Sequence, residues 1–262
     1  MADRIRRLGI MTTRGRPEVA GDARRRVEEA AAAAGIEVGS VEEELDVLLV
    51  LGGDGTMLRA LRATLGTQTP VFGINFGRVG FLTTVDAGEL DTALERAFAG
   101  DFRVVDLSTL EARLDGATQP AVNDVVVTSS HPGRMVELGW ELGGERLADQ
   151  PCDGMICCTP SGSTAYNLSN GGPVMMWGLE AMAMTFVAPH SVRQRPLVVP
   201  PGLDLRITNR SHEVPVTVLV DGGVVAELQR EGEMAVAVGQ EHSRLALLPE
   251  VTFFSRYHEV FP

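Results

Sequence analysis

An apolar run that ends in a glycine-rich turn constrains the fold of this 262-residue chain more than any other stretch. Residues 47–51 form an uninterrupted apolar segment of strand length, and Gly-Gly-Asp-Gly-Thr follows at 52–56. Helical spacing begins directly afterwards, with Leu58, Leu61 and Leu65 on one face. We therefore predict a strand, a tight turn and the start of a helix.

This turn has the properties of an anion-binding loop with a carboxylate at its centre. Free N–H groups at a helix start attract phosphate, and glycines let the backbone approach a ligand closely. The candidate phosphate loop is Gly52, Gly53, Gly55 and Thr56. Because Asp54 would weaken a bare phosphate site, we interpret it as a proton acceptor for an attacking hydroxyl, or as a neighbour of Mg²⁺. The alternative is an ordinary turn in which Asp54 caps the helix.

Strands and helices alternate over residues 1–101, which predicts an α/β domain with a Rossmann-like parallel sheet. A helix is expected over 17–34, where Gly35 ends it, and a second glycine-rich loop covers 76–82. Ligands of parallel sheets bind beyond the carboxyl ends of the strands, where both glycine loops fall. The site is therefore expected at that edge.

The pattern changes after Gly100 and predicts a second, mostly antiparallel β domain over 102–242. Short β-rich runs separated by Gly, Pro and Asp lie at 102–114, 121–128, 134–142, 154–158, 183–188, 203–208, 215–220, 223–228 and 234–238. The final stretch, 243–262, is too apolar for a free tail, and we expect it to pack back on the N-terminal domain.

Composition narrows the functional class. A net charge of −12 argues against nucleic acid and anionic membranes as partners. No apolar run approaches a membrane span of about 18 residues, and the N-terminus lacks an apolar signal core, so we expect a cytoplasmic protein.

Metal-ligand spacing is absent among the three cysteines, which include Cys157 and Cys158, and among the five histidines. No metal site built by the protein alone is predicted.

The chain contains no lysine, so all 23 Lys and Arg residues are arginines. A Walker A lysine, a protein-kinase lysine and a lysine Schiff base are therefore excluded. Phosphate chemistry in this protein must proceed without a lysine ammonium group.

Polar residues concentrate again at 153–173, where a strand leads into Ser161, Ser163 and Thr164. Hydroxyls and free N–H groups at a helix start can hold phosphate or ribose oxygens, and Tyr166 could stack on a base. The alternative is a serine-rich turn with a packed tyrosine. No G-x-S-x-G elbow supports a hydrolase. The pair at 123–124 is either a turn or a polar pair that faces a cleft.

Five motifs together resemble the NAD kinase family in order and spacing, over roughly residues 45–225. They are Gly-Gly-Asp-Gly-Thr at 52–56, Asn-Phe-Gly-Arg-Val-Gly-Phe-Leu at 75–82, Asn-Asp at 123–124, Asp153-Gly154 with Thr-Pro-Ser-Gly-Ser-Thr-Ala-Tyr at 159–166, and Pro189-His190 with Arg-Pro-Leu at 195–197. The first motif is shared with phosphofructokinase-like, diacylglycerol-kinase-like and sphingosine-kinase-like enzymes. The block at 159–166 with the upstream Asn-Asp pair is far more specific.

The resemblance implies phosphorylation of the 2′-hydroxyl of the adenosine ribose of NAD, with ATP or polyphosphate as donor and Mg²⁺ or another divalent cation alongside. It implies that Asp54 is the catalytic proton acceptor and that the protein is a homodimer or homotetramer. The residues that it implies for NAD binding are Asp54, Gly55, Asn123, Asp124, Asp153, Thr164, Ala165, Tyr166, Asn167, Ser169 and Ala188.

Two other functions are compatible with part of the sequence. A lipid or sphingoid-base kinase would share the first motif, but would have an apolar acceptor pocket and no Thr-Ala-Tyr block at 164–166. A catalytically silent NAD(P)-binding regulator would keep the scaffold without turnover, although the intact Asp54 argues against it.

Overall fold

Two segments that are far apart in sequence form the first of the two units of this protein. The structure, a computed structural model, describes residues 5–13, 15, 17–77, 80–83, 85–191 and 193–261, without the side chains of Pro17 and Val19. Unit 1 consists of Met1–Asp106 with Ser243–Pro262, and unit 2 of Leu107–His242. The sequence-based boundary at 101/102 and the observed boundary at 106/107 flank the start of the strand Arg103–Leu114.

In chain order, the strands are β1 Arg7–Thr12, β2 Glu37–Val38, β3 Val47–Leu51, β4 Val71–Asn75, β5 Val85–Asp86, β6 Arg103–Leu114, β7 Ala117–Ala121, β8 Asp124–Ser129, β9 Val136–Leu142, β10 Glu145–Cys152, β11 Gly154–Cys158, β12 Met182–Val187, β13 Leu197–Val199, β14 Leu205–Asn209, β15 Val216–Val220, β16 Gly223–Leu228 and β17 Glu233–Leu247. The helices are α1 Pro17–Ala34, α2 Asp54–Ala63, α3 Leu90–Phe98, α4 Tyr166–Ser169 and α5 Phe253–Val260, with 3₁₀ turns at Ala87–Glu89 and Gly162–Thr164. No helix among the described residues is long and apolar enough to cross a membrane.

The strands of unit 1 form a parallel sheet. β1 pairs with β2 and β3, and β3 pairs with β4. The first two residues of β4 pair with β17, and its last two pair with β5. All residues of β3 and β4 are buried, as expected for central strands that helices cover on both faces. This explains why they read as continuous apolar runs.

Helix α1 has the bounds that its apolar period predicts. Ala23, Val27 and Ala31 are buried, whereas Arg24 and Arg25 pair with glutamates one turn along the exposed face. The next residue, Gly35, has a φ of 70°, a left-handed conformation that suits glycine and ends the helix.

Unit 2 is built from antiparallel strands. β13, β12, β11, β8, β15 and β16 follow one another in one sheet. β9 pairs with β10 and β14, and Leu205–Thr208 of β14 pair with residues 233–236 of β17. The predicted class, an α/β domain plus a mostly antiparallel β domain, is confirmed. The three cysteines are free and buried in this unit.

Candidate active site

Asp54 is the first residue of helix α2, and its carboxylate does not cap that helix. Gly53 occupies the N-cap position without a side-chain hydrogen bond, and its carbonyl accepts from the N–H groups of Thr56 and Met57. The alternative in which Asp54 is a helix cap is therefore wrong. The carboxylate is directed elsewhere.

The Asp54 carboxylate is held by the backbone of the loop at 81–83. Its Oδ2 accepts a 2.6 Å hydrogen bond from the Phe81 N–H. Its Oδ1 accepts from the N–H groups of Leu82 at 3.1 Å and Thr83 at 3.2 Å, and from the Thr83 hydroxyl at 3.3 Å. A loop that lies 27 to 29 residues away thus fixes the orientation of this side chain.

The two oxygens of this carboxylate are used unequally. An ionised carboxylate offers about four lone-pair directions. Among the described residues, three donors reach Oδ1 and one reaches Oδ2, so Oδ2 retains capacity for another hydrogen bond. An incoming hydroxyl could donate to Oδ2 without displacing the loop.

Two glycines leave the space in which this arrangement fits. A Cβ at Gly80 would lie 2.2 Å from Asp54 Oδ1, and a Cβ at Gly52 would lie 2.5 Å from the Thr56 hydroxyl. Each glycine is required for close approach, because no larger residue leaves room for the neighbouring polar side chain.

A cavity of about 420 Å³ opens beside the same turn. It is lined by Thr13, Gly15, Gly53, Gly55, Thr56 and Arg59. The Arg59 guanidinium donates to the carbonyl of Thr12 at 2.9 Å, which anchors it at the end of β1. The cavity therefore combines a glycine backbone, a helix start and a guanidinium, a combination that suits a phosphate chain.

In unit 2, one carboxylate organises the Asn123-Asp124 pair. Asp221 Oδ1 accepts from the N–H of Asn123 at 2.7 Å and of Asp124 at 3.2 Å, and Oδ2 accepts from the N–H of Val122 at 3.0 Å. In return, the Asp221 N–H donates to the Asp124 carbonyl at 2.9 Å. Asp221 itself has a φ of 48°, in the tight turn between β15 and β16.

The serine-rich turn holds the same segment from its other side. Thr159 donates its N–H to the Asn123 carbonyl at 2.9 Å and its hydroxyl to the Val122 carbonyl at 2.7 Å. The Ser161 hydroxyl lies 3.4 Å from Asn123 Oδ1, and a Cβ at Gly162 would lie 2.1 Å from the Asn123 carbonyl oxygen. The structure thus brings together two motifs that are 36 residues apart in sequence (159 − 123).

The environment of Asp124 favours its protonated form. The side chain is 7% exposed. Burial, and secondarily the negative charge of Asp221, raise the pKa of Asp124 to about 6. Its carboxyl group can therefore change protonation state close to neutral pH.

The block at 164–169 contains both exposed and buried members. Ala165, Tyr166 and Ser169 are exposed, and the Thr164 hydroxyl donates to the Ser161 carbonyl. Asn167 is fully buried: its amide donates to two backbone carbonyls, and its Oδ1 accepts from Thr185. The side chain of Asn167 is thus occupied in holding the turn, whereas its neighbours are free to meet a ligand.

Asp153 and Ala188 lie side by side at the end of the β11–β12 pair. The Asp153 N–H donates to the carbonyl of Val187 at 3.0 Å, and both Asp153 and Ala188 are exposed. Ala188 has a φ of 44°, an uncommon conformation for a residue with a Cβ. Such backbone strain is often found at ligand sites.

Sequence reasoning missed three contributors to these sites. They are the donor groups of Thr83, the Asp221 carboxylate and the Arg256 side chain, which donates to carbonyls of the loop at 80–83. Asp-Gly at 221–222 does signal a tight turn, but a turn signal does not reveal which backbone groups its carboxylate binds.

Among the described residues, no group of three or more His, Cys, Asp or Glu side chains is placed to hold a metal ion.

Solved structures of two kinases share the fold of this chain and so define its structural class. A yeast NADH kinase complexed with NADH matches 98% of this chain and 88% of its own with a TM-score of 0.87 at 22% identity, which bears on the fold alone. An NAD kinase from Archaeoglobus fulgidus in complex with ATP matches 97% of both chains with a TM-score of 0.77 at 26% identity.

Sequence comparison identifies the family. Models of the ATP-NAD kinase N-terminal and C-terminal domains match residues 20–102 and 122–248. NAD kinases from Heliobacterium modesticaldum and Gemmatimonas aurantiaca are 42% and 37% identical over 80% and 81% of this chain, and over 76% and 75% of their own lengths. The chain belongs to the NAD kinase family, and it is a phosphotransferase that makes NADP. The lipid-kinase alternative is not supported.

Proposed function

We propose that Asp54 is the general base of this NAD kinase and accepts the proton of the adenosine-ribose 2′-hydroxyl of NAD. The observation that carries the proposal is the fixed carboxylate: the loop donates three hydrogen bonds to Oδ1 and one to Oδ2, and Oδ2 keeps capacity for one more donor. A secondary hydroxyl is a poor nucleophile, and a carboxylate within hydrogen-bond reach both orients it and takes its proton. In-line transfer of the phosphoryl group then depends on positioning and charge neutralisation.

The cavity beside the turn is proposed to hold the donor phosphates of ATP or polyphosphate. Gly52, Gly53, Gly55 and Thr56 would present backbone N–H groups and a hydroxyl, and Arg59 would supply positive charge in a chain without lysine. The complex of the related Archaeoglobus kinase with ATP supports a nucleotide donor.

A divalent cation fits this proposal as part of the donor. Mg²⁺ typically takes one or two carboxylates and fills its remaining positions with substrate phosphates and water. The described residues offer no larger ligand cluster, so the ion would arrive on the phosphate chain, where it neutralises charge.

NAD is proposed to bind to residues of unit 2 that include both exposed positions and the buried Asp124. The proposed contacts in unit 2 are Asn123, Asp124, Asp153, Thr164, Ala165, Tyr166, Ser169 and Ala188, with Asn167 holding their turn from within. The Tyr166 side chain is 46% exposed and is available to stack on adenine. The relatives from Heliobacterium modesticaldum and Gemmatimonas aurantiaca, which are named NAD kinases, support NAD as the acceptor.

We also propose that the protein works in the cytoplasm as a homodimer or homotetramer. Val198 on β13 and Val224 on β16 are 51% and 69% exposed at the two edges of the six-stranded sheet. Apolar side chains on unpaired edges favour association with another chain.

The proposal is tested with the Asp54→Asn variant. Purified protein is incubated with NAD, Mg²⁺ and either ATP or polyphosphate, and NADP is detected. We expect the variant to bind NAD within a few-fold of the parent, but to lose about 10²–10⁴ in turnover, the usual contribution of a positioned base. Near-normal turnover would overturn the role of Asp54. A sphingoid-base or diacylglycerol acceptor assayed in parallel should give no product.

A further inference from the structure

The loop that holds Asp54 is itself held by the last helix of unit 1. Thr252 and Ser255 form a reciprocal capping box at the start of α5. The Phe253 ring lies edge-to-face on the Phe81 ring, with their centroids 5.3 Å apart. Helix α5 is thereby fixed against the segment at 80–83.

Arg256 of α5 is buried at this contact, with 5% of its surface exposed. Its Nη2 donates to the carbonyl of Gly80 and, at 3.0 Å, to the carbonyl of Thr83. Its Nη1 pairs with the half-exposed carboxylate of Glu259 at 2.5 Å. Among the described residues, its Nε lacks a hydrogen-bond partner. Because desolvating a guanidinium is costly, this burial calls for an explanation beyond filling space.

One peptide group connects Arg256 to Asp54. The Gly80 carbonyl that accepts from Arg256 belongs to the same peptide as the Phe81 N–H, which donates to Asp54 Oδ2. A cation at the oxygen of a peptide polarises the group and makes its N–H a stronger donor. The second bond, to the Thr83 carbonyl, secures the other end of the same segment.

We propose that Arg256 is a positioning residue for phosphoryl transfer, acting through the Gly80–Phe81 peptide to orient the Asp54 carboxylate. The inference rests on the proposed role of Asp54 as the base. The ionisable groups that face this relay among the described residues are Asp54 at one end and Arg256 with Glu259 at the other.

The test compares Arg256→Gln and Arg256→Lys with a matched control, Arg244→Gln. Arg244 lies in the same segment of unit 1, but its ion pair with Asp106 is at the surface. For Arg256→Gln we expect kcat to fall about tenfold or more, while the KM for NAD changes less than threefold. Arg256→Lys should restore part of the rate, and Arg244→Gln should keep the parent kcat.

The outcomes separate the two proposals. An inactive Asp54→Asn together with the parent kcat in Arg256→Gln would overturn the relay and leave the base intact. Near-normal turnover of Asp54→Asn would overturn both. If Arg256→Gln fails to fold, Arg256→Lys decides the matter. A kcat below the parent value at an unchanged KM supports the positioning role, and the parent kcat overturns it.

Discussion

At the scale of single residues, the position of the proposed base, Asp54, depends on Gly80, which has no side chain. Gly80 packs against Asp54 so closely that a methyl group there would lie 2.2 Å from Oδ1 and 2.6 Å from Oδ2. The carboxylate would have to leave its position, because the methyl group is attached to the backbone that carries the loop.

We therefore expect Gly80→Ala to lower kcat by about 10²-fold, the cost of misplacing a catalytic group by about 1 Å. Steady-state kinetics with NAD and ATP measure the effect. The control is Gly88→Ala, since a Cβ at Gly88 has no atom within 4 Å, and this variant should keep the parent rate. A Gly80→Ala protein with parental kcat would show that the position of the carboxylate is unimportant.

At the scale of elements, the sequence predicts those helices and strands whose ends are determined by residues close to them in the chain. The apolar period and Gly35 predicted both ends of α1, and the run that precedes Gly52 predicted β3. Strand β10 was not predicted, because its first five residues are exposed and show no alternation. β7 and β13 were also missed, and β17 continues to Leu247, beyond the predicted end at 238.

The candidate sites show the same division between local and distant information. The glycine turn and the Thr-Pro-Ser-Gly-Ser-Thr block are contiguous, so the sequence displayed them. The contacts of Asp221 could not be read from the sequence, since its carboxylate binds N–H groups 97 to 99 residues away. Pairing over such a distance is created by the sheet that sets β8 beside β15.

Asp221 gives a prediction at this scale, with a second turn of the same kind as control. Asp115 and Asp221 have φ values of 49° and 48°, and each is followed by a glycine with positive φ. We expect Asp221→Asn to lower the free energy of unfolding by about 1–3 kcal/mol, because backbone donors lose a charged acceptor. Asp115→Asn should change it by less than about 0.5 kcal/mol. Equal effects would mean that the turn, not the carboxylate contacts, matters.

Urea unfolding followed by tryptophan fluorescence is the measurement for Asp221. Both tryptophans of the chain, Trp140 and Trp177, belong to unit 2, so their signal reports the unit that contains the turn. NAD affinity measured on the same variants should fall for Asp221→Asn and stay at the parent value for Asp115→Asn.

At the scale of the whole molecule, Asp124 links stability to pH. Because its pKa is raised to about 6 in the folded protein, folding favours the protonated form. The stabilisation from this group is complete below its ordinary pKa of about 4, and it is lost as pH rises through about 6. Relative to the parent, Asp124→Asn should gain about 1–2 kcal/mol of unfolding free energy between pH 4.5 and pH 7.5. Urea titrations at several pH values measure the difference, and a difference that stays flat with pH would contradict it.

The discontinuity of unit 1 has a consequence for the order in which the nascent chain can fold. Residues 107–242 leave the ribosome before residues 243–262. All residues of unit 2 have therefore been synthesised before the C-terminal segment of unit 1, which contains the end of β17 and α5. Domains commonly fold as they emerge, starting from the N-terminus. Here residues 1–106 lack the rest of unit 1 until residues 243–262 have been synthesised, and the loop at 80–83 gains its Arg256 contact only after α5 has been made.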